Sequence, residues 1–160
     1  MSVQNPKIFE LANIDLISMK EFLKFQIENE EKKIFCEIRR KYLVIQPEEL
    51  IRQSWIQLLL RKYNISPKLI NVEKQFIVYE RRRRFDLLVY SKDHNPISLF
   101  EFKSYTTPLD AKVFEQISLY NQALKIPNLV ISNGIKHYGA MIDFEEKSFT
   151  FKSNLEDILQ

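Results

Sequence analysis

Three residues in the middle of the chain, Asp86, Glu101 and Lys103, have the types and the spacing for metal-assisted chemistry. Asp86 lies in one run rich in apolar residues and the other two lie in the next, so the pattern predicts two antiparallel strands joined by a polar loop. Pairing Tyr90 with Ile97 gives a register in which Asp86 faces Glu101 directly. Lys103 follows Glu101 by two residues, so strand alternation predicts all three side chains on one face.

Two carboxylates that face each other repel unless a positive charge lies between them. Mg²⁺ (or Mn²⁺) suits this position, because Mg²⁺ binds one or two carboxylates together with water and phosphate oxygens. An ion of this kind polarises a phosphodiester and lowers the pKa of its bound water. Lys103 would then orient or deprotonate the attacking water, or stabilise the charge that develops on the phosphate. The residue set therefore indicates hydrolysis of phosphodiester bonds.

The patterns around these residues predict an α/β fold. A helix is predicted from Pro47 to about Tyr63, because proline suits a first helical turn and apolar residues follow at helical spacing. Further helices are predicted over residues 15–33 and 109–124. The predicted strands are 69–80, 85–90, 97–103, 129–132, 138–144 and 148–151. This order favours a mixed β-sheet core flanked by helices, with an extra N-terminal helix.

Composition excludes several classes of protein. The 24 Lys and Arg residues exceed the 21 Asp and Glu residues, and the net charge of +3 permits DNA binding without requiring it. Gly134 and Gly139 are the only glycines, which excludes a dinucleotide loop, and Ala140 and Met141 follow where a P-loop needs Lys and Ser or Thr. We therefore expect no ATPase motor on this chain. One cysteine, Cys36, and two histidines exclude a Cys/His zinc cage and fit a cytoplasmic location. The sequence has no run of the ~20 apolar residues that a membrane span needs, so no span is predicted.

In this order of elements the chain resembles the PD-(D/E)XK nucleases, whose D…(D/E)-x-K signature is matched by Asp86 and by Glu101-Phe102-Lys103. It is similar in particular to the N-terminal nuclease domain of type I restriction enzyme R subunits, in its short stand-alone form. The supporting segments are 38–42, 47–53, 84–86, 101–103, 116–121 and 132–134. The resemblance implies a restriction-endonuclease-like nuclease domain over residues 34–160 and an N-terminal helical arm over residues 1–33.

The resemblance also implies roles for individual residues. Asp86 and Glu101 look like the metal-binding carboxylates, with the main-chain carbonyl of Phe102 as a third ligand. Lys103 looks like the catalytic lysine. Phe102 stands where a small apolar residue is frequent in such enzymes, but its side chain is expected on the opposite face of the strand.

Two helices are expected to add residues to this site. The acidic residue of the family's first helix falls on Glu48 or Glu49, and Glu48 is favoured because it shares the face of the apolar stripe. Gln116 and Tyr120, four residues apart on one helical face, resemble the Q-x-x-x-Y element of several such nucleases. Tyr120 has the alternative of being a core aromatic residue.

Four consecutive arginines, residues 81–84, lead into the strand that carries Asp86. Arg82 and Arg84 share the predicted face of Asp86 and would hold phosphates of DNA near the metal. The alternative is a solvated strand end that discourages edge-to-edge pairing.

The main hypothesis is a Mg²⁺-dependent DNA endonuclease of a restriction system. A homodimer is compatible with it, because cutting both strands of a duplex suits a two-fold pair. The alternative is a catalytically silent nucleic-acid-binding or accessory protein that retains the nuclease fold. A third hypothesis is a protein-interaction subunit without affinity for nucleic acid.

Overall fold

The computed structural model describes residues 8–160, and these form a mixed α/β fold. The helices are α1 (Pro47–Arg61) and α2 (Ala111–Leu124). The strands are β1 (Phe25–Glu28), β2 (Glu31–Cys36), β3 (Lys41–Val44), β4 (Ile70–Val78), β5 (Arg81–Tyr90), β6 (Pro96–Phe102), β7 (Asn128–Ser132), β8 (His137–Asp143) and β9 (Ser148–Lys152). Short 3₁₀ turns occupy Ser18–Phe22, Pro67–Leu69 and Leu155–Asp157. The predicted α/β class is confirmed.

Both predicted helices of the main body form, and local chemistry explains their ends. Pro47 occupies the first turn of α1, where its missing N–H costs no hydrogen bond. Asp110 caps α2 by accepting a 3.2 Å hydrogen bond from the amide of Val113, and Lys125 ends that helix in a left-handed conformation. Within residues 8–160, neither helix is long and apolar enough to cross a lipid bilayer.

The larger sheet has six strands in the order β4-β5-β6-β7-β8-β9. Its neighbouring strands are antiparallel except for β6 and β7, which are parallel and are joined through α2. A parallel pair needs such a crossover, because both strands begin at the same edge of the sheet. The crossover places α2 directly after the strand that ends at Phe102.

The core lies on both faces of this sheet, since side chains alternate along each strand. Trp55 and Leu58 of α1 pack on the face that carries Leu87 and Phe100. Phe114 and Ile117 of α2 pack on the opposite face, with Leu88 and Leu99. Burial of each such side chain contributes roughly 1.5–3 kcal/mol to folding. The sheet is therefore fixed between two helices, one of which approaches each face.

The helix predicted over residues 15–33 is wrong. The segment contains the 3₁₀ turn Ser18–Phe22 and a β1–β2 hairpin, and the predicted boundary at residue 33 falls inside β2. Asn29 and Glu30 form the hairpin turn with φ angles of 49° and 64°, which suit a two-residue loop. Ile17 is 86% exposed, so it does not belong to the buried apolar face that such a helix would need. The division into an arm and a nuclease domain stays a prediction, and residues 1–7 of the arm lie outside the described residues.

The predicted register of β5 and β6 is confirmed in the body of the hairpin but wrong at its loop end. Leu87 pairs with Phe100 and Val89 pairs with Ser98, as the predicted register requires. Tyr90 pairs with Pro96 instead of Ile97, because a bulge follows Val89.

Candidate active site

Strands β5 and β6 separate at Asp86. Their ladder begins with Leu87 opposite Phe100, so Asp86 and Glu101 are not a hydrogen-bonded pair within the described strands. Instead, the amide of Phe102 donates a 2.7 Å hydrogen bond to Oδ2 of Asp86. The Asp86 carboxylate thus replaces a main-chain acceptor at the point where the two strands part.

The strict alternation predicted for β5 is wrong at this residue. Phe85 packs in the α2 cluster and Leu87 in the α1 cluster, although residues two apart in a regular strand share a face. The physical reason lies in β4, where Glu73 stands opposite Asp86 with φ of 49° and the ladder omits this pair. Asp86 turns towards α1, where Arg52 donates a 3.0 Å hydrogen bond to its Oδ1.

Glu101 and Lys103 lie together on the α2 side of the sheet. Lys103 Nζ donates a 3.3 Å hydrogen bond to Oε1 of Glu101, and the two side chains are 30% and 19% exposed. Phe102 between them is buried on the α1 side, stacked against Trp55, so the prediction for its side chain is confirmed.

The carboxyl group of Glu101 is strongly perturbed. Burial, and after it the negative charge of Asp86, raises the pKa of Glu101 from 4.5 to about 7. Lys103 acts in the opposite direction through its charge and its hydrogen bond, and Glu48 adds a further increase. Glu101 and Asp86 therefore repel each other even though Lys103 is present, and an additional cation would relieve this repulsion.

A cleft of about 260 Å³ opens beside Glu101 between the sheet and α2. The cleft brings together residues that the sequence had singled out on three different elements. Its lining residues are Arg82, Arg83, Arg84, Phe85, Glu101, Lys103, Gln116, Ile117 and Tyr120. Four of these nine side chains are cationic, so the cleft favours an anionic ligand.

The arginines of this cleft differ in their surroundings. The guanidinium of Arg83 lies 4.1 Å from the centre of the Tyr120 ring, a distance typical of a cation–π contact. Arg84 is 58% exposed, and its Nη1 lies 3.6 Å from Oε1 of Glu73. Tyr120 thus lines the cleft and also supports an arginine. Sequence reasoning chose Arg82 and Arg84 and missed Arg83, because it assigned Arg83 to the other face of the strand.

Sequence reasoning also missed Arg52, which is only 4% exposed. Its guanidinium forms ion pairs with Glu49, Glu73 and Asp86, which come from α1, β4 and β5. Arg39 pairs with Glu73 as well. The available signal was the spacing on α1, since Arg52 follows Glu49 by three residues and pairs of this spacing meet on a helix. The network couples the first helix to Asp86.

The two glutamates at the start of α1 have different roles in this arrangement. Glu49 accepts hydrogen bonds from Arg52 and from the Gln53 amide, at 2.8 Å for the latter. Glu48 is exposed, and its charge contributes to the raised pKa of Glu101. This arrangement favours Glu48 as the helix carboxylate of the site, and that assignment stays a prediction.

The donor groups around Glu101 fit a hard divalent cation. Two carboxylates from neighbouring strands repel each other there, and Mg²⁺ needs only one or two carboxylates because it keeps several waters. Among residues 8–160, no group of three or more histidine, cysteine or carboxylate side chains is arranged so that it could hold a metal ion. Water and phosphate oxygens would therefore have to complete the coordination.

A larger groove of about 430 Å³ lies beside the start of α1. Ile17, Leu50 and Ile135 line it, and none of the described side chains that line it is charged. It therefore offers no carboxylate ligand for a metal ion.

Comparison with known proteins identifies a family for this chain. Residues 47–156, more than half of the chain, match the family described as type I restriction enzyme R protein N terminus. The matched range begins at the first residue of α1 and includes Asp86, Glu101, Lys103 and Gln116. No curated protein matches the chain. The chain therefore belongs to the family of the type I restriction enzyme R protein N terminus, which links it to restriction enzymes.

Proposed function

We propose that this chain is a Mg²⁺-dependent nuclease that hydrolyses phosphodiester bonds of DNA at the cleft beside Glu101. The observation that carries the proposal is the position of Glu101 and Lys103. Oε1 of Glu101 and Nζ of Lys103 lie 3.3 Å apart, and both residues line a cleft that three arginines also line. Membership of a restriction-enzyme family supports DNA as the substrate. Burial and the negative charge of Asp86 raise the pKa of Glu101, which supports the binding of a cation beside the two carboxylates.

Asp86, Glu101 and the carbonyl of Phe102 would hold the metal ion. When bound, the ion would polarise the phosphodiester and make its bound water more acidic. Lys103 lies beside Glu101 and would orient the attacking water or stabilise the negative charge that develops on the phosphate. Arg52 and the Phe102 amide keep the Asp86 carboxylate in place through one hydrogen bond to each oxygen.

Side chains from β5 and α2 would hold the substrate. Arg82 and Arg84 line the cleft and would bind the phosphates that flank the scissile bond. Gln116 lines the same cleft and would position the scissile phosphate or its water through the side-chain amide. Tyr120 would keep Arg83 in place and offer its ring edge to the substrate.

A cleavage assay tests the enzymatic proposal. The protein is incubated with supercoiled plasmid and with short duplexes in Mg²⁺ or Mn²⁺, beside Asp86→Ala, Glu101→Gln and Lys103→Ala. Asp93→Asn is the matched control, because Asp93 is an exposed carboxylate in the β5–β6 loop. We expect the control to cleave like the wild type and each site variant to lose at least ~100-fold in rate. Equal cleavage by wild type and Asp86→Ala would exclude the proposed site.

Metal binding is tested separately by thermal unfolding. Mg²⁺ that binds only the folded state stabilises it by about 2.7 kcal/mol at a hundred times its dissociation constant. We expect a rise in the unfolding temperature of the wild type and of Asp93→Asn, and a much smaller rise for Glu101→Gln.

The second candidate function is a nucleic-acid-binding accessory protein without catalysis. One observation favours it, namely that Arg52 already supplies a positive charge to Asp86 at 3.0 Å. A cation-paired carboxylate has less need of a metal ion. Salt-sensitive DNA binding by both the wild type and Asp86→Ala, with no cleavage by either and no effect of Mg²⁺ on unfolding, would identify this function.

A further inference from the structure

The distal halves of β4 and β5 form a two-stranded ribbon, residues 74–85, that extends past the rest of the sheet. Its pairs run from Lys74 with Phe85 to Val78 with Arg81. Within residues 8–160, β5 pairs with β6 only from Leu87 onwards, so the ribbon has no further strand beside it. Five successive pairs at about 3.4 Å each give a length of roughly 17 Å.

The ribbon carries the net positive charge of the protein. Residues 74–85 contain five cations, Lys74 and the arginines 81–84, and one anion, Glu80. The remaining residues contain 19 cations and 20 anions, whereas the whole chain has a net charge of +3. All of the positive excess therefore lies on this ribbon, which suits a polyanionic partner.

The tip of the ribbon is exposed, and its base opens into the cleft. Ile77 and Tyr79 are 77% and 70% exposed, and Arg81 and Arg82 are exposed beside them. Among the salt bridges of residues 8–160, none involves Arg81 or Arg82. In the middle of the ribbon, Arg83, which pairs with Phe76, packs on Tyr120 of α2 and fixes the ribbon relative to the cleft.

We propose that the ribbon of residues 74–85 is a duplex-DNA-binding arm that enters the major groove and delivers a backbone phosphate to the adjacent cleft. The major groove is about 12 Å wide and admits a two-stranded ribbon, whereas a single strand offers no such groove. Arg81 and Arg82 contact phosphates on the groove walls, and the exposed apolar residues Ile77 and Tyr79 face the base edges. The proposal rests on the proposed nuclease function and specifies its substrate as duplex DNA.

Binding measurements in EDTA test the arm without any need for cleavage. Fluorescence anisotropy compares a short duplex with one of its separated strands over ~50 to ~200 mM salt. The test variant is Arg81→Gln, because Arg81 is exposed on the ribbon and does not line the cleft, whereas Arg82 does. The control is Lys92→Gln, which removes the same charge from an exposed loop residue. For the test variant we expect the slope of log K against log salt to fall by roughly 0.9, and the duplex affinity to fall roughly threefold at low salt. The control should match the wild type.

A second measurement does not depend on the arginine variant. Ile77→Cys provides an exposed thiol on the ribbon, and the native Cys36 is fully buried, so a maleimide dye labels the ribbon selectively. Duplex added first should slow this labelling strongly, and the single strand should slow it less. Three results would each contradict a DNA-binding arm. They are tighter binding of the single strand than of the duplex, an equal loss of affinity in the control, and labelling that duplex does not slow. Failure of the nuclease function would appear differently, as intact duplex binding without cleavage.

Discussion

Arg52 on α1 and Asp86 on β5 form a 3.0 Å ion pair that connects the first helix to the candidate active site. The Asp86 side chain is 17% exposed and that of Arg52 is 5% exposed, so water screens this pair weakly. The same guanidinium also pairs with Glu49 and Glu73. One cation thus stabilises three carboxylates from three different elements.

Arg52→Ala should be strongly destabilising. It leaves Glu49, Glu73 and Asp86 largely buried without their shared cation, and loss of one partner from a buried charge network costs about 3–5 kcal/mol. Urea unfolding, monitored by circular dichroism, measures this loss of unfolding free energy. Arg61→Ala is the comparison, because it also removes an arginine from α1, but one whose guanidinium hydrogen-bonds the neutral Gln57. A loss of the same size in both variants would contradict the role assigned to the network.

The stability of the metal-free protein should fall as the pH rises through the pKa of Glu101. This pKa is about 7 in the folded state and near 4.5 in the unfolded chain. Between these pH values the folded protein therefore binds one proton more than the unfolded chain. The resulting stabilisation is complete below pH 4.5 and is lost as the pH rises to about 7. Glu101→Gln removes this dependence. The difference in unfolding free energy between the wild type and Glu101→Gln should therefore decline between these pH values, by up to roughly 3 kcal/mol.

His137 should give stability the opposite dependence on pH. Burial lowers its pKa from 6.5 to about 4, and its ring packs against Trp55, 5.5 Å away, with Nδ1 2.8 Å from the hydroxyl of Ser132. The unfolded chain therefore gains a proton near pH 6.5 before the folded protein does. This contribution is complete above pH 6.5 and is lost as the pH falls towards 4.

The two contributions overlap in pH and oppose each other, so the wild type should show a shallow profile. His137→Gln should make stability decline with rising pH, and Glu101→Gln should make it increase. Unfolding midpoints of the three proteins across this range measure the effect. Parallel profiles for the two variants would show that these groups do not control the pH dependence.

Much of the fold followed from local patterns in the sequence. Pro47 marked the start of α1, and the period of apolar residues distinguished α2 from the strands around it. The N-terminal segment was mispredicted because Ile17, Phe22 and Phe25 recur at near-helical spacing. The chain instead turns at Asn29 and Glu30, where both residues take positive φ angles, and glutamate is not a residue that predicts such a turn.

The candidate site was only partly predictable. Spacing was enough to place Glu101 beside Lys103, because strand alternation is a local rule. Gln116 was a candidate because of the family resemblance and not because of spacing. The orientation of Asp86 was not predictable in this way. It depends on a distortion at Glu73, which lies on a different strand, and on Arg52, which lies on a helix. Contacts between distant elements leave no periodic signal in the sequence.

Glu73 should show the cost of this distortion directly. Its φ of 49° strains any residue except glycine, and its carboxylate pairs with Arg39, Arg52 and Arg84. Glu73→Ala removes the ion pairs and keeps the strain, whereas Glu73→Gly removes both. We therefore expect Glu73→Gly to be more stable than Glu73→Ala by about 1 kcal/mol, although both should be less stable than the wild type.

Lys74 provides the matched control for that pair, because it follows Glu73 in β4 and lies in a regular part of the ladder. There the order should reverse, with Lys74→Gly less stable than Lys74→Ala, since glycine weakens a regular strand. Chemical unfolding of the four variants gives both differences. The same order at both positions would mean that the backbone at Glu73 is unstrained and that ion pairs alone hold β4 in its distorted path beside Asp86.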